Sequence, residues 1–408
     1  MQEIALRWKA WHGEENTVLT FPEGWHIEVC PMTGAPALSD GEIRTALSSP
    51  IGTPPLSDLA KGAQRAAIAV DDTSRPTPIS RLLPHVLSEL AASGIEKQQT
   101  KIIVALGSHA PLSEEELDWK LGPQTLRDYP VLQHDAQKNL SKICIDLDGI
   151  PVRINQDFME ADLKITMGGI TPHPFAGYSA GGKMVLPGLA SLEIIERTHK
   201  FVAMGFRGGL GIVEGNRFRE DVEKVGRRCK LDLIVDVVLN QHREIAGVFA
   251  GDFVTAFQKG VDFAREVYRT ALPEEVDVAL LNAYPKDSDL VQSENAFNLL
   301  RSAQRPFIKE TGKVILMTAA THAEGAHGLF SPGGRLYRRP LPKRWLKQKE
   351  LIVFSPAVSE ETVRKLVWEG YPFCRRWDAV IHLLKESYPD GCRLSVFPSS
   401  AIQMGASV

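Results

Sequence analysis

The residues best suited to chemistry lie in one short segment, residues 173–184, which reads HPFAGYSAGGKM. Glycine lets the backbone come close to a ligand, and backbone amides at the start of a helix bind anions. A lysine in such a loop either anchors the bound group or reacts with it. The segment therefore predicts a phosphate- or carboxylate-binding loop around Lys183, and the alternative is a tight turn with a solvated lysine.

The same segment is similar to a phosphate-binding P-loop, because residues 177–183 follow the pattern G-x-x-x-x-G-K. Residues 233–236 (LIVD) are suited to the acidic strand of such an enzyme. A P-loop needs Ser or Thr after the lysine to bind magnesium, whereas this chain has Met184. A P-loop-like nucleotide hydrolase is therefore retained as an alternative function.

Three polar loops follow predicted strands in the first half of the chain. They read DDTSRPTP, GSHAP and GGITPHP, and they contain Asp72, Arg75, His109 and His173. In open α/β sheets, ligands bind outside the carboxyl ends of the strands. We therefore expect these four side chains to converge on one crevice.

The types of these residues indicate acid/base chemistry on an anion. An imidazole, whose pKa is about 6.5, accepts or donates a proton near neutral pH, and the guanidinium of Arg75 can hold a carboxylate with two parallel hydrogen bonds. His199 lies near the end of a predicted helix, where its alternative role is to interact with the helix dipole. Together these groups suit proton abstraction from a small anionic substrate beside a bound anionic cofactor.

The elements that must position these residues follow an α/β pattern. Short β-branched runs alternate with helical stretches, and strands are predicted at residues 66–70, 102–106, 163–167, 233–239, 276–282, 313–317 and 351–354. This alternation favours two α/β domains with largely parallel sheets. An apolar run at 186–195 and residues 251–269 are predicted to be helical, and residues 270–275 then link an N-terminal domain (1–270) to a C-terminal domain (271–408). The same prediction includes the alternative that the extreme C-terminus packs with the first domain.

Composition narrows the class of protein. The chain has 408 residues, of which 43% are hydrophobic and 24% charged, so it is long enough for two folded domains. Its formal net charge of −3 gives no basic field for nucleic acid or an anionic membrane, which favours a small-molecule partner. The five cysteines include no Cys-x-x-Cys pair, and no signal peptide or membrane-length apolar run is present. We therefore expect reduced thiols and a cytoplasmic enzyme.

Four separated motifs, taken together, resemble the lactate racemase family, which is built around a nickel-pincer nucleotide. They are DDxxRPTP, LGSH, PHPFAGYSAGGK and a distal Thr-His, and they occur in the family's order and spacing. The resemblance spans most of the chain and implies two α/β domains with the active site between them. It implies an isomerase that racemises or epimerises a 2-hydroxy acid by hydride abstraction and return. A non-catalytic relative that only binds the cofactor is a further alternative.

The resemblance also assigns a role to individual residues. It implies that Lys183 forms a thioamide with the nickel-pincer nucleotide (pyridinium-3-thioamide-5-thiocarboxylic acid mononucleotide nickel) and that His199 is the protein ligand to nickel. It implies that His109 and His173 are the acid/base pair and that Arg75 binds the substrate carboxylate. Residues placed where the nucleotide is held are Asp72, Ser179, Gly181 and Gly182. Cofactor-synthesis enzymes of the host are the implied protein partners.

The chain departs from the lactate-specific pattern at one position. Where those members have an aromatic-Gln-x-x-Lys motif, this chain reads Val-Gln-Ser-Glu-Asn, so Gln292 is kept and Asn295 replaces the second cationic anchor. Loss of one charge-assisted hydrogen bond costs about 1.5–3 kcal/mol of binding. This departure from the motif therefore implies that the substrate is a 2-hydroxy acid other than lactate, or that the enzyme accepts a broader range of them. Lys286 is a candidate replacement anchor, and the alternative is an exposed loop lysine.

Overall fold

The computed structural model describes residues 1–203 and 209–406. Its strands are β1 (Gln2–Trp8), β2 (Glu15–Phe21), β3 (His26–Val29), β4 (Ala66–Val70), β5 (Thr100–Val104), β6 (Val131–Gln133), β7 (Leu140–Leu147), β8 (Ile150–Asn155), β9 (Leu163–Gly169), β10 (Pro172–His173), β11 (Gly177–Tyr178), β12 (Leu233–Leu239), β13 (Ile245–Gly251), β14 (Arg269–Ala271), β15 (Val276–Asn282), β16 (Ile308–Met317), β17 (Glu350–Phe354), β18 (Phe373–Cys374), β19 (Arg393–Phe397) and β20 (Met404–Ala406).

The α-helices are α1 (Asp40–Ser48), α2 (Leu56–Leu59), α3 (Ile79–Ala92), α4 (Glu114–Leu121), α5 (Pro123–Asp128), α6 (Gln156–Glu160), α7 (Leu192–Ala203), α8 (Arg217–Cys229), α9 (Thr255–Val267), α10 (Leu290–Ser293), α11 (Asn298–Ser302), α12 (Glu360–Arg364) and α13 (Trp377–Ser387). Short 3-10 helices lie at Lys97–Gln99, Gly181–Met184, Glu294–Phe297 and Arg344–Leu346. None of the described helices is both long enough and apolar enough to cross a membrane.

The described chain forms two compact units. The central unit, residues 35–267, contains a sheet in the order β13-β12-β9-β4-β5-β6, which is parallel except for the antiparallel pair β12 and β13. Strands β4, β9 and β12 are buried along their whole length, as expected for strands covered on both faces. Because β4 pairs with both β5 and β9, their carboxyl ends lead into loops at one edge of this sheet.

The terminal unit consists of residues 1–34 and 268–408. Its main sheet has the order β18-β17-β16-β15-β19-β3, and every pair in it is parallel. A core of buried apolar side chains covers both faces of this sheet. The prediction of an α/β fold with mostly parallel sheets is confirmed in both units.

The division of the chain differs from the predicted boundary at residue 270. The units change between residues 267 and 268, but residues 1–34 lie with the C-terminal half rather than in the first domain. The physical reason is that β3 extends the terminal sheet by pairing with β19, with His26 opposite Arg393. The described C-terminal residues also stay in the terminal unit, because β20 pairs with β14.

Two predicted helices begin later in the structure than in the sequence prediction. The run at 186–195 is helical only from Leu192, because Pro187 has no N–H for a helical hydrogen bond and the chain before Leu192 forms irregular turns. The helix predicted at 251–269 begins at Thr255, because Gly251 ends strand β13. The Asp252 carboxylate accepts hydrogen bonds from the first amides of this helix, including that of Thr255 at 2.9 Å.

Candidate active site

The four residues predicted to converge on one crevice all lie in the central unit, just beyond the ends of neighbouring strands. Asp72 and Arg75 follow β4, His109 follows β5, and His173 lies just beyond β9. The loop that follows β5 contacts the chain just beyond Lys183, because the amide of Gly107 donates to the carbonyl of Gly188 at 2.9 Å. The charges of Lys183, His109 and Arg75 also act on His199.

His109 is held by a carboxylate. Its Nδ1 contacts Oδ2 of Asp72, and the other Asp72 oxygen accepts the amide N–H of Ser74 at 3.0 Å. Burial by itself raises the pKa of Asp72, but His109, Arg75 and the Ser74 hydroxyl outweigh it and hold that pKa well below its usual range. An ionised carboxylate can only accept a hydrogen bond, so Nδ1 of His109 carries a proton, and in the neutral ring the lone pair lies on Nε2. His109 is therefore arranged as a base.

His173 has the opposite arrangement. Its imidazole is buried, and Nδ1 accepts the amide N–H groups of Phe175 and Ala176 at 3.1 and 3.2 Å. A ring nitrogen that accepts two amides carries no proton, so in the neutral ring the proton lies on Nε2. His173 therefore presents an N–H donor, whereas His109 presents an acceptor.

Arg75 is half-buried and keeps part of its guanidinium available. Its Nη1 donates to the Ser74 hydroxyl at 3.0 Å and to the Ser74 carbonyl at 3.3 Å. Within the described part of the chain, its Nε and Nη2 groups make no hydrogen bond and no carboxylate forms an ion pair with it. This geometry leaves N–H groups for the carboxylate of a substrate.

Lys183 lies in the 3-10 turn Gly181–Met184 and is buried. Its Nζ has no hydrogen-bond or ion-pair partner among residues 1–203 and 209–406. Burial lowers the pKa of Lys183 well below its usual range, and the positive charges of Arg75 and Arg219 lower it further. Burial therefore favours the uncharged, nucleophilic form of the amine, in contrast to the solvated lysine that was the alternative.

Arg219, on helix α8, holds the loop that carries Lys183. Its guanidinium is buried, lies 3.9 Å from the ring centre of Phe257, and donates to the carbonyls of Ala176 (3.1 Å) and Tyr178. Burial lowers the pKa of Arg219 to about 9. The guanidinium of Arg219 therefore binds backbone carbonyl groups of the loop and holds the loop in place.

Asp236 supports the same loop from strand β12. Its Oδ2 accepts the amide N–H of Gly181 at 2.8 Å, while its buried Oδ1 has no hydrogen-bond partner in the described chain. Burial raises the pKa of Asp236 well above its usual range. Asp236, which in a nucleotide hydrolase would be the acidic residue of the strand, therefore accepts a hydrogen bond from the loop backbone.

The three loop residues predicted to contact the nucleotide make contacts within the protein. The Ser179 hydroxyl accepts the amide of Thr171 at 3.0 Å. Gly181 has φ +62°, and a Cβ there would lie 2.9 Å from the Phe257 ring, while a Cβ at Gly182 would lie 3.1 Å from a side-chain carbon of α8. These contacts shape the loop, and nucleotide contact by the three residues, like that of Asp72, stays a prediction.

His199 lies on helix α7 and is partly buried. Its Nδ1 donates to the carbonyl of Ile195 at 2.7 Å, so the lone pair lies on Nε2. Burial, together with the charges of Lys183, His109 and Arg75, lowers the pKa of His199 to about 4. A neutral imidazole whose second nitrogen donates to a backbone carbonyl is the usual form of a metal-ligating histidine.

An aromatic ring connects two of the candidate histidines. The ring of Phe175 lies 5.8 Å from that of His173 and 5.6 Å from that of His199, measured between centroids. Both contacts are edge-to-face, the favoured geometry for aromatic pairs. The segment at residues 173–184 and helix α7 are therefore packed together around Phe175.

The remaining predicted residues lie in the terminal unit. Gln292 is buried, and its backbone N–H donates to Oδ1 of Asp289 at 2.7 Å. The Asn295 side chain donates back to the carbonyl of Gln292 at 2.7 Å. Lys286 is only 2% exposed, so the alternative of an exposed loop lysine is wrong.

Sequence patterns did not single out Arg219, Asp71 or Lys120. Arg219 and Lys120 lie in helices rich in charge, where a lysine or arginine is normally solvated. Asp71 could have been identified from the sequence, because it stands beside Asp72 in the motif DDxxRPTP. What identifies all three is complete burial, which depends on residues distant in the chain.

Comparison with known proteins identifies the class. A family model described as the lactate racemase N-terminal domain matches residues 12–208. The lactate racemase of Thermoanaerobacterium thermosaccharolyticum is 30% identical over 293 residues, which is 71% of this chain and 67% of that one. The lactate racemase of Lactiplantibacillus plantarum is 31% identical over 299 residues, covering 72% and 69%.

Solved structures share the fold. The lactate racemase apoprotein from T. thermosaccharolyticum matches with a TM-score of 0.78 and 23% identity over all of both chains. A protein from Thermotoga maritima matches with a TM-score of 0.68 and 16% identity over 91% of this chain and 99% of that one. These findings define an isomerase of the racemase class. The chain belongs to the lactate racemase family, which confirms the resemblance seen in its motifs.

Proposed function

We propose that this protein racemises or epimerises a 2-hydroxy acid other than, or broader than, lactate, with a nickel-pincer nucleotide held at Lys183 and His199. One observation carries this proposal. The Asp72-held imidazole of His109 presents an acceptor and His173 presents a donor, in the same unit as Arg75 and an uncharged buried lysine. Such a set suits moving a proton on and off the hydroxyl of a bound hydroxy acid.

The residues present fit the cofactor. The uncharged Nζ of Lys183 has no competing partner in the described chain, so it is suited to form the thioamide. His199 is neutral, and its Nδ1–H is bonded to a carbonyl, which directs Nε2 to a metal. When bound, the nickel-pincer nucleotide supplies the hydride transfer at C2 of the substrate.

The chain's own residues then bind the substrate and handle the proton. Arg75 binds the substrate carboxylate through its remaining N–H groups. Nε2 of His109 accepts the hydroxyl proton of one enantiomer, and the Asp72 carboxylate stabilises the imidazolium that forms. His173 donates a hydrogen bond from its Nε2–H to the substrate oxygen. To act as the base for the opposite enantiomer, its ring must first carry the proton on Nδ1 instead, which breaks the hydrogen bonds from the amides of Phe175 and Ala176.

The terminal unit is proposed to decide which 2-hydroxy acid is accepted. Asn295 has no charge, and its amide is used on the carbonyl of Gln292, so it does not replace the cationic anchor of the lactate-specific motif. Gln292 and the buried Lys286 are proposed to bind the distal part of the substrate. An Asn295→Lys variant is therefore expected to shift activity toward lactate, measured as the ratio of kcat/KM values for lactate and the preferred substrate.

The alternative of a P-loop-like hydrolase finds little support in the local structure. Lys183 lies in a four-residue 3-10 turn, and helix α7 begins only at Leu192, whereas a P-loop lysine stands at the start of an α-helix. The amide of Gly181 is already bonded to Asp236. The alternative of a non-catalytic cofactor-binding relative is separated from catalysis by the experiment below.

The deciding experiment is production of the protein together with the pincer-nucleotide synthesis enzymes, the proposed partners, in the proposed cytoplasmic setting. Intact mass and nickel content are measured first, with a known family member as the loading control. Chiral chromatography then follows a panel of single-enantiomer 2-hydroxy acids. A Lys183 adduct with nickel and exchange of configuration supports the proposal. Loading without exchange indicates the non-catalytic relative, and absence of nickel and adduct contradicts cofactor use.

A further inference from the structure

Lys120 is a completely buried lysine in the acidic helix α4. Its side chain is 0% exposed, and its Nζ lies 2.6 Å from Oδ1 of Asp71. The same ammonium group donates to the carbonyl oxygens of Arg75 at 3.2 Å and Thr77 at 3.0 Å. One cation thus binds three points of the loop that follows β4.

Asp71 extends this contact to a second loop. Its Oδ2 accepts the hydroxyl of Thr77 at 2.6 Å and the amide of Gly169 at 3.0 Å. Gly169 ends strand β9, four residues before His173. The Lys120–Asp71 pair therefore connects helix α4, the Asp72–Arg75 loop and the strand that leads to the second histidine.

Helix α4 has another contact with the same loop, because the hydroxyl of Thr73 donates to Glu116 at 3.3 Å. The contacts from α4 fall on residues 71, 73, 75 and 77, which alternate along the loop. Asp72, the carboxylate that holds His109, lies between two of these fixed points. Its backbone therefore has little freedom to move while the pair is intact.

Burial of this pair is costly for stability. Burial raises the pKa of Asp71 and lowers the pKa of Lys120, while the attraction between the two groups, the nearby Asp72 carboxylate and hydrogen bonds to Asp71 oppose this desolvation. Replacing a buried ion pair by apolar side chains of similar volume is often neutral or stabilising. A role in stability alone therefore does not explain the pair.

We propose that Lys120 is a positioning residue, whose ammonium group fixes the backbone of Arg75 and, through Asp71, the carboxylate of Asp72. It touches neither substrate nor cofactor. Its catalytic consequence rests on the proposed function, because Arg75 and His109 act there on a 2-hydroxy acid. Its structural consequence, the hydrogen bond between His109 and Asp72, can be measured without any substrate.

The test variant is the double substitution Asp71→Asn with Lys120→Met, which removes both charges and avoids leaving one carboxylate buried alone. The matched control is Lys164→Met, since Lys164 is a buried lysine of the same unit whose Nζ donates to the carbonyl of Ala161, away from the loop. Cofactor loading, Tm, KM and kcat are measured for the wild type and both variants. The Lys120→Arg variant tests rescue, because it keeps a cation at this place.

The substrate-independent readout is the NMR signal of selectively labelled histidine, in which the Nδ1 proton of His109 reports its bond to the Asp72 carboxylate. We expect the double variant to lose or shift this signal, to raise KM at least about tenfold and to lower kcat at least about tenfold. Lys164→Met is expected to keep all three at wild-type values, and Lys120→Arg to recover part of the loss in KM.

Two results would overturn the positioning role. One is a double variant with wild-type KM, kcat and His109 signal. The other is an equal loss in Lys164→Met, which would show a general response to removing a buried lysine. If the loaded wild type exchanges no 2-hydroxy acid, the proposed function fails, and the His109 signal alone then decides the role of Lys120: a shifted signal supports it and an unchanged one refutes it.

Discussion

The imidazole of His109 is hydrogen-bonded through Nδ1 to the carboxylate of Asp72, so in the neutral ring Nε2 is the acceptor nitrogen. His173, whose Nδ1 accepts two backbone amides, presents a donor instead. For one enantiomer, an acceptor nitrogen can take the hydroxyl proton while an N–H group donates a hydrogen bond to the same substrate oxygen. The two side chains come from different loops of the same sheet edge.

Asp72→Asn is expected to lower kcat by about 10²- to 10⁴-fold while cofactor loading stays unchanged. An asparagine amide can donate to Nδ1, which moves the imidazole proton to Nε2 and removes the base. Ser74→Ala, which removes another contact of the same carboxylate, is the control and is expected to cost less than about tenfold. Racemisation rates by chiral chromatography check this, and a rate within twofold of the wild type for Asp72→Asn would exclude the carboxylate from orienting His109.

Arg75→Lys is expected to raise KM for the 2-hydroxy acid about 10- to 100-fold, because a single ammonium cannot form the two parallel bonds of a guanidinium. Arg81→Lys serves as the control, since Arg81 lies on helix α3 and its partner is the exposed carboxylate of Asp40 at 3.0 Å. Initial rates over a range of substrate concentrations give KM for each variant. Equal KM values for the Arg75 and Arg81 variants would remove Arg75 from carboxylate binding.

Lys183→Met is expected to raise the Tm of the cofactor-free protein at neutral pH by a few degrees. The pKa of Lys183 is lowered in the folded state, so below its unfolded value of about 10.5 the unfolded chain binds more protons, and stability rises with pH through this window. The Tm advantage of the variant should therefore shrink as the pH approaches 10.5.

The control for this measurement is Lys138→Met, because Lys138 is 81% exposed and pairs only with Asp135 at 3.5 Å. Thermal melts of wild type and both variants between neutral pH and about pH 10.5 separate the effect of burial from the general effect of removing a lysine. A Lys183→Met protein that is less stable than the wild type at neutral pH would argue against an uncharged buried amine.

His199→Ala is expected to lose most of the nickel while the mass adduct on Lys183 remains, because the two residues hold different parts of the proposed cofactor. His382→Ala is the control, since that histidine is 76% exposed and pairs with Glu386. Elemental analysis and intact mass are measured on the same preparations. Full nickel content in His199→Ala would show that this imidazole is not a required ligand.

Local sequence patterns predicted the central strands well. Strands β4, β12 and β15 have the predicted bounds, because each is a short segment rich in apolar and β-branched residues that is buried in a largely parallel sheet. The family motifs likewise identified the class, since each is a short segment whose residue types are visible without a fold. Asp72 and Arg75 follow β4 and His109 follows β5, so these loops could be predicted from the strands alone, whereas His199 lies on helix α7.

Only the tertiary structure assigned residues 1–34 to the terminal unit, because strand β3 is too short and too polar to indicate its partner β19. The same holds for Lys120, whose contact with the Arg75 carbonyl joins residues 45 positions apart. Sequence determined which chemical groups are present and on which strands' ends they lie. Folding decided their protonation states, because burial and hydrogen bonding set which nitrogen of His109, His173 and His199 carries the proton.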